Sequence, residues 1–435
     1  MKERHFVAGV IGKDGRTSAI RQRLEESPRI AGPVVNLTPR KGLGPSAQLD
    51  DILQKAHETR PDFVVVGPED PLARGIVDRL DEIGIPAVGP RRALAQLEAS
   101  KTFTRQLLAA YEIPGNPAHR IFTGSNGIAE YLHALGDFVI KPDGLTGGKG
   151  VKVSGDHLAS VADGLAYCDE LLQSGHARVI VEEKLEGEEF SLQSFCDGTH
   201  VVHTVPVQDH KRAFEGDTGP NTGGMGTYSD ADHLLPFLNR SALEDAQSIT
   251  ERVAQALLAE TGHAYKGVLF GGFMLTRAGV RLLEYNARFG DPEALNVLSI
   301  LQSDFAEICL AIIRGSLHEV DVSFRNLATV CKYVVPQGYP DRPVKGESID
   351  MRDVPAESEN LQIFHAAVEE QPDGRLMMTG SRAVAFVGIG PDLASAERHA
   401  EAAASAVRGP VFHRKDIGSA SLIERRVAHI ERLHA

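Results

Sequence analysis

Two stretches of the chain concentrate side chains suited to phosphate and to a divalent cation. The first is Lys141-Pro142-Asp143-Gly144-Leu145-Thr146-Gly147-Gly148-Lys149-Gly150. Its glycines let successive backbone N–H groups approach phosphate oxygens closely, and Lys141 and Lys149 carry charge to neutralise them. It is not a Walker A loop, because an apolar strand follows it where that motif needs Lys-Ser/Thr and a helix. A strand–glycine loop–strand flap over phosphates is one reading; a plain glycine-rich hairpin with exposed lysines is the other. The second stretch is Leu282-Leu283-Glu284-Tyr285-Asn286-Ala287-Arg288-Phe289-Gly290-Asp291-Pro292-Glu293. Alternation along a strand puts Glu284 and Asn286 on one face. A carboxylate and an amide oxygen are hard ligands suited to Mg2+, although a surface strand with polar residues reads the same way.

Between these lies Val181-Glu182-Glu183-Lys184-Leu185-Glu186-Gly187-Glu188-Glu189-Phe190, an apolar strand that runs into carboxylates, pauses at Gly187 and resumes. Backbone groups in such a hinge suit an adenine edge, and a carboxylate suits ribose hydroxyls. Charge runs usually face water, so a solvated acidic turn stays open.

The elements that must position these groups fall into three regions: 1–100, 101–325 with a flap of about 120–190, and 326–435. In the first, Phe6 to Ile11, Phe63 to Val66 and Ala87-Val88 read as strands. Charged helices alternate with them, one ending near Pro28 and one starting near Pro71. Continuous apolar runs such as Phe63 to Val66 mark strands buried on both faces. The expected fold is α/β: a doubly wound parallel sheet, with ligands at the strands' carboxyl ends. The middle region changes texture to α+β. Strands are expected at Phe138 to Lys141, Val151 to Val153, Val179 to Glu182, around Phe190–Phe195 and over Val201 to Val207. Val268 to Leu275 and Val280 to Tyr285 form a hairpin about Arg277-Ala278-Gly279. A boundary after Ser323 leads to a small α+β region, with strands near Ala328–Val335 and Arg382–Val387 and a helix from about Leu393.

A length of 435 residues suits roughly three domains at ~150 residues each. The net charge of −13 argues against general affinity for nucleic acid, which requires neutralising phosphates. A local basic pocket for a small phosphorylated substrate stays compatible with it. Cys168, Cys196, Cys309 and Cys331 form no C-x-x-C pair, and they read as buried apolar residues in a reducing compartment. No signal-peptide core and no long apolar span occurs. The expectation is a cytoplasmic protein without membrane association, a monomer or weak dimer.

The three stretches, in this order and spacing, resemble the ATP-grasp superfamily. Gln208-Asp209-His210-Lys211-Arg212 and Gly216-Asp217-Thr218-Gly219-Pro220-Asn221-Thr222-Gly223-Gly224-Met225-Gly226 narrow the resemblance to the glycinamide ribonucleotide synthetase family. Gly67-Pro68-Glu69, Leu97-Glu98-Ala99-Ser100-Lys101, Arg288 to Glu293 and Arg414-Lys415-Asp416-Ile417-Gly418 are similar to that family's motifs too, so the match spans roughly 60–420. The resemblance implies that glycine is joined to 5-phosphoribosylamine through a glycyl phosphate, with ATP becoming ADP and phosphate. It implies that Lys101 and Lys141 contact ATP phosphates and that Gly147, Gly148, Lys149 and Gly150 form the flap. Glu182, Glu183 and Leu185 would line the adenine, and Glu189 the ribose. Glu284 and Asn286 would bind Mg2+, with Mn2+ left open, and no third acid comes from Gly271-Gly272-Phe273-Met274. Arg288, Asp209 and Lys211 are the implied catalytic groups. Gly12, Gly15, Arg16, Asp217, Asn221, Gly223, Gly224 and Asp291 are the implied substrate contacts.

The first turn departs from the family pattern. Gly12-Lys13-Asp14-Gly15-Arg16-Thr17-Ser18-Ala19 keeps Gly12, Gly15, Arg16 and Ala19, but Asp14 replaces a glycine and Thr17-Ser18 a Glu-His pair. A strand-to-helix turn still suits an anion, yet Asp14 adds negative charge where a ribose phosphate is expected. A sister ATP-grasp ligase with a different amine is the alternative. A dinucleotide oxidoreductase is excluded, because the turn lacks G-x-G-x-x-G.

Overall fold

The computed structural model describes residues 5–145 and 150–435. In the first region Val35–Asn36, Ala8–Ile11, Phe63–Val66 and Ala87–Val88 lie side by side as a parallel sheet. Its two faces pack differently. Ala8, Val10, Phe63 and Val65 join Ala19, Ile20 and Leu24 of helix Gly15–Glu25 in the main core. Ile11, Val64 and Val66 pack with Ile52 and Ala56 of helix Pro45–Thr59 and with Ile76 and Leu80 of helix Ile76–Glu82. Burial on both faces is what the uninterrupted apolar runs require. The helix expected near Pro71 begins at Glu69.

Two antiparallel sheets follow. His119–Phe122, Val179–Glu183, Phe138–Pro142 and Lys152–Val153 form one. Helices Ile128–Leu135 and Val161–Gln173 cover it, and Ile128, Leu132, Phe138, Tyr167 and Val181 give it a core of its own. Val201–His203, Gly187–Cys196, Gly267–Thr276 and Gly279–Asn286 form the other. The strand expected around Phe190–Phe195 runs the full length from Gly187 to Cys196. The one expected over Val201 to Val207 stops at His203, and Val207 instead exchanges backbone hydrogen bonds with Ser191.

The last large sheet is assembled from distant segments. Gln208–Asp209, Gly226–Ser229, Ala328–Pro336, Val384–Gly390 and Leu361–His365 are neighbours in it, and Gly226–Ser229 pairs antiparallel with Ala328–Pro336. The segment 208–229 therefore sits on the C-terminal sheet, with the hairpin Arg212–Phe214 and Thr218–Asn221 projecting between. Helix Ala420–His434 returns to the long strand, where His429 Nδ1 lies 2.7 Å from Glu188. The four cysteines are buried and free. Among the described residues no helix is long and apolar enough to cross a membrane.

Candidate active site

Glu284 and Asn286 end the strand Gly279–Asn286, where they are half-buried while Leu282 and Tyr285 point into the core. A register shift between Gly272 and Phe273 places Glu284 opposite Gly272, which has no side chain to crowd it. Burial alone would raise the Glu284 carboxyl. Lys211, Lys101, Lys141 and Arg288 together overcome it and hold the group below its ordinary value. These cations come from separate elements. Lys101 opens helix Lys101–Ala110 and donates to the Gly144 carbonyl at 3.0 Å. Lys141 lies on strand Phe138–Pro142. Lys211 follows strand Gln208–Asp209, and Arg288 follows strand Gly279–Asn286. An ionised carboxylate with an amide oxygen on the same face is a donor set that fits a hard divalent ion. Asn286 Oδ1 accepts a hydrogen bond from Arg288 Nη2 at 3.1 Å.

Glu182 requires a correction. Its side chain does not line an open nucleotide cleft: it is 3% exposed, with Arg105 Nε at 2.6 Å and Lys141 Nζ at 2.8 Å. Burial opposes its ionisation, but the two cations overcome that and hold it at about 2. Glu182 is an anchor for Lys141. Glu183 and Leu185 do face an open space, a cleft of 360 Å³ whose wall also includes Thr276, Ala278, Arg281 and Leu433. Lys101, Lys141 and Glu284 are not in that wall. Glu189 is exposed and pairs with Lys211 at 3.1 Å, the leading reason the Lys211 ammonium titrates higher than usual. The Gly150 carbonyl accepts from the Tyr167 hydroxyl at 3.0 Å. Gly147, Gly148 and Lys149 lie outside the described residues.

A second group of charges lies on the C-terminal sheet side. Tyr333 Oη donates to Asp291 Oδ1 at 2.7 Å, and Arg382 Nη2 approaches the same oxygen at 3.4 Å. Asp291 Oδ2 is buried without a hydrogen-bond partner. Burial and then Glu293 push the Asp209 carboxyl well up. Gly224 has φ +106°, and a Cβ there would come 2.6 Å from Pro292 Cδ and 2.8 Å from Asp209 Oδ1. Only glycine lets this loop close on Asp209. Arg382 donates to the Gly223 and Gly224 carbonyls, fixing the loop from the other side. Asp217 and Asn221 are a second correction. Asp217 is held by Arg414 at 3.0 Å and Arg426 at 2.5 Å, and Asn221 pairs with Arg212 in the hairpin. Asp217 braces the loop against the C-terminal segment, and Asn221 holds the hairpin to itself.

The first turn connects to this site. Asp14 caps helix Gly15–Glu25, accepting from Thr17 N at 3.0 Å, and pairs with Arg16 Nε at 2.7 Å. Its charge is thus matched locally, and the expected conflict with a phosphate is correspondingly reduced. Gly12 has φ +137°, with Thr17 Oγ1 2.2 Å from where a Cβ would stand. Arg16 is buried, donates to the Phe289 carbonyl at 2.8 Å and faces Glu69 at 3.6 Å. Glu69 in turn meets Arg288 at 3.2 Å, and Arg288 meets Glu98 at 2.7 Å. An alternating chain of charges runs from the first turn to the end of strand Gly279–Asn286.

Glu69 and Glu98 sat in motifs already noted, without an assigned role. Arg105, Tyr333 and Arg382 carried no local signal, since each meets its partner through sequence-distant packing.

Three successive family descriptions match the chain: the phosphoribosylglycinamide synthetase N domain over 8–98, its ATP-grasp (A) domain over 99–294 and its C domain over 329–420. A phosphoribosylamine–glycine ligase of Methanosarcina barkeri is 44% identical, covering 98% of this chain and 99% of that protein. One of Methanoregula boonei is 45% identical, covering 99% and 97%. The crystal structure of the phosphoribosylamine–glycine ligase of Thermotoga maritima superposes with a TM-score of 0.78 at 26% identity, covering 94% of this chain and 99% of that one. With these matches covering the chain almost from end to end, it belongs to the phosphoribosylglycinamide synthetase family.

Proposed function

We propose that the protein joins glycine to 5-phosphoribosylamine at the expense of ATP, giving glycinamide ribonucleotide, ADP and phosphate, a step of purine biosynthesis. The observation that carries this reading is the end of the Glu284 strand, where Lys141 donates to the Leu283 carbonyl at 3.2 Å and Arg288 to Asn286 Oδ1 at 3.1 Å, with Lys101 and Lys211 adding to the positive field on Glu284. That arrangement suits a nucleotide triphosphate transferring its terminal phosphoryl group.

Lys101, Lys141 and Lys211 neutralise phosphate charge as the glycine carboxylate attacks the γ-phosphorus and ADP leaves. Glu284 and Asn286 would hold Mg2+, with Mn2+ as a substitute, and the ion would add charge neutralisation on phosphate oxygens. The amine then attacks the acyl carbon of glycyl phosphate and inorganic phosphate departs. Asp291 Oδ2, buried without a hydrogen-bond partner, offers an acceptor for the proton released by the amine, and Asp209 stands against Gly224. Arg288 orients the carboxylate end. Glu183 and Leu185 line the purine end and Glu189 the ribose. Gly147 to Gly150 cover the acyl phosphate against water. Gly12, Gly15 and Arg16 receive the ribose phosphate beside Gly223 and Gly224.

We also infer a division at 1–100, 101–325 and 326–435, a monomer or weak dimer in the cytoplasm, and no nucleic-acid partner.

ADP release from purified protein, with Mg2+-ATP, glycine and freshly generated phosphoribosylamine each omitted in turn, tests the reading. Dependence on all three, with the ribonucleotide product identified by mass spectrometry, supports it. Folded protein without activity on verified amine directs the search to another amine.

A further inference from the structure

Arg105 takes no part in the roles above, yet it is 2% exposed and sits at the meeting point of the elements that carry them. It lies one helical turn after Lys101 on helix Lys101–Ala110, so the two share a face. Its Nε and Nη2 grip both oxygens of Glu182, at 2.6 and 3.0 Å. Its Nη1 donates to the Leu282 carbonyl at 3.1 Å and Nη2 to the Leu283 carbonyl at 2.7 Å. Those carbonyls immediately precede Glu284. Lys141 Nζ shares the same partners, Glu182 at 2.8 Å and the Leu283 carbonyl at 3.2 Å.

We infer that Arg105 is a positioning residue for phosphoryl transfer: its planar fork locks helix Lys101–Ala110, the Lys141 strand and the Glu284 strand into one register. The inference rests on the function proposed above and adds a residue to it. A guanidinium suits the task because its donors leave in fixed directions, which lets one side chain grip a carboxylate and two carbonyls at once. A lysine offers a point charge and cannot reproduce that fork. A buried Glu182 with Lys141 alone would keep an ion pair, but nothing would fix where that pair stands relative to Glu284. Arg105 touches no reacting atom; it acts through Glu182 and through the backbone of residues 282–283.

The test compares wild type with Arg105→Lys, Arg105→Met, Glu182→Gln and the Arg105→Met/Glu182→Gln double variant. Kcat and KM for ATP are measured in the full ligation assay, the affinity for a fluorescent ATP analogue by titration, and folding by thermal melting. A misplacement of about 1 Å costs on the order of 100-fold in rate, so kcat for Arg105→Met should fall about that far. Analogue affinity should change less than about threefold, because neither Arg105 nor Glu182 lines the cleft of Glu183 and Leu185. The double variant should be no worse than either single one, since both break one unit. Arg105→Lys, which keeps the charge and is the safer variant to fold, should still lose about tenfold in kcat. Kcat within threefold of wild type in folded Arg105→Lys or Arg105→Met overturns the inference, as does a double variant whose losses multiply. A wild-type protein without ligation would overturn the proposed reaction instead, so the two failures are told apart.

Discussion

The Tyr333 hydroxyl donates to Asp291 Oδ1 at 2.7 Å, across a sequence separation of 42 residues. Burial and then the Asp291 charge push the Tyr333 phenol well up, so it stays a neutral donor. Gly15 lies so close that a Cβ there would stand 2.0 Å from Tyr333 Oη. The first turn, the substrate loop and the C-terminal sheet thus meet at one hydrogen bond, and an alanine at Gly15 would push the hydroxyl off Asp291. Gly15→Ala and Tyr333→Phe should each raise the apparent KM for the amine about tenfold, the worth of a hydrogen bond to a charged group. Steady-state kinetics with saturating ATP and glycine measure this. If Gly15→Ala leaves KM unchanged while Tyr333→Phe raises it, the close approach carries no functional weight.

Glu284→Gln keeps the shape of the side chain and removes its charge. The lysines around it then repel one another without an anion between them, and the hard donor is lost. ADP formation should drop at least about 1,000-fold, as expected when a central electrostatic group is lost. The circular dichroism spectrum should be unaltered. Near-normal turnover in this variant would remove Glu284 from the metal site.

Glu182 makes a pH prediction. Its carboxyl titrates at about 2 in the folded protein against an ordinary 4.5. A depressed folded value contributes stability above the ordinary value, and that contribution is lost as pH falls from about 4.5 towards 2. Glu182→Gln leaves Arg105 and Lys141 buried without their anion, a cost of about 3–5 kcal/mol at neutral pH. The gap in melting temperature between the variant and wild type should therefore be widest near pH 7 and close as pH falls through that window. A gap that stays constant down to pH 3 would mean the ion pair contributes little.

Much of this site could be read from the chain before folding. Alternation placed Glu284 and Asn286 on one face, and apolar runs gave the parallel sheet its buried strands. What could not be read was where charges meet at long range. Glu182 sat in a run of acids that resembled a solvated turn, but Arg105 lies 77 residues earlier and local spacing says nothing about it. Asp217 belonged to a loop with a strong motif, yet its partners Arg414 and Arg426 are supplied by the far end of the chain. The pairing of Gly226–Ser229 with Ala328–Pro336 is what carries the loop there, and no period in the sequence encodes it.

Asp14 is the clearest case of a residue whose meaning changed with its surroundings. Read alone, its charge opposes a phosphate at the first turn, and its removal should improve binding there. In the fold it caps helix Gly15–Glu25 through Thr17 and pairs with Arg16. Removing the side chain in Asp14→Gly would therefore disturb the cap while freeing Arg16, and the two effects oppose each other. Asn caps as well as Asp does, so Asp14→Asn separates them: the cap stays and only the charge goes. Arg16 would then keep only Glu69 as its carboxylate partner and present more of its charge to the ribose phosphate, and the apparent KM for phosphoribosylamine should fall about twofold to fivefold, the scale of one partly screened charge pair. The melting temperature should hold. Asp14→Ala, by contrast, should lose about 1 kcal/mol of stability from the missing cap. An unchanged KM in Asp14→Asn would place the phosphate away from this turn, towards Gly223 and Arg382, and the first turn would then serve only to hold Arg16 against Glu69.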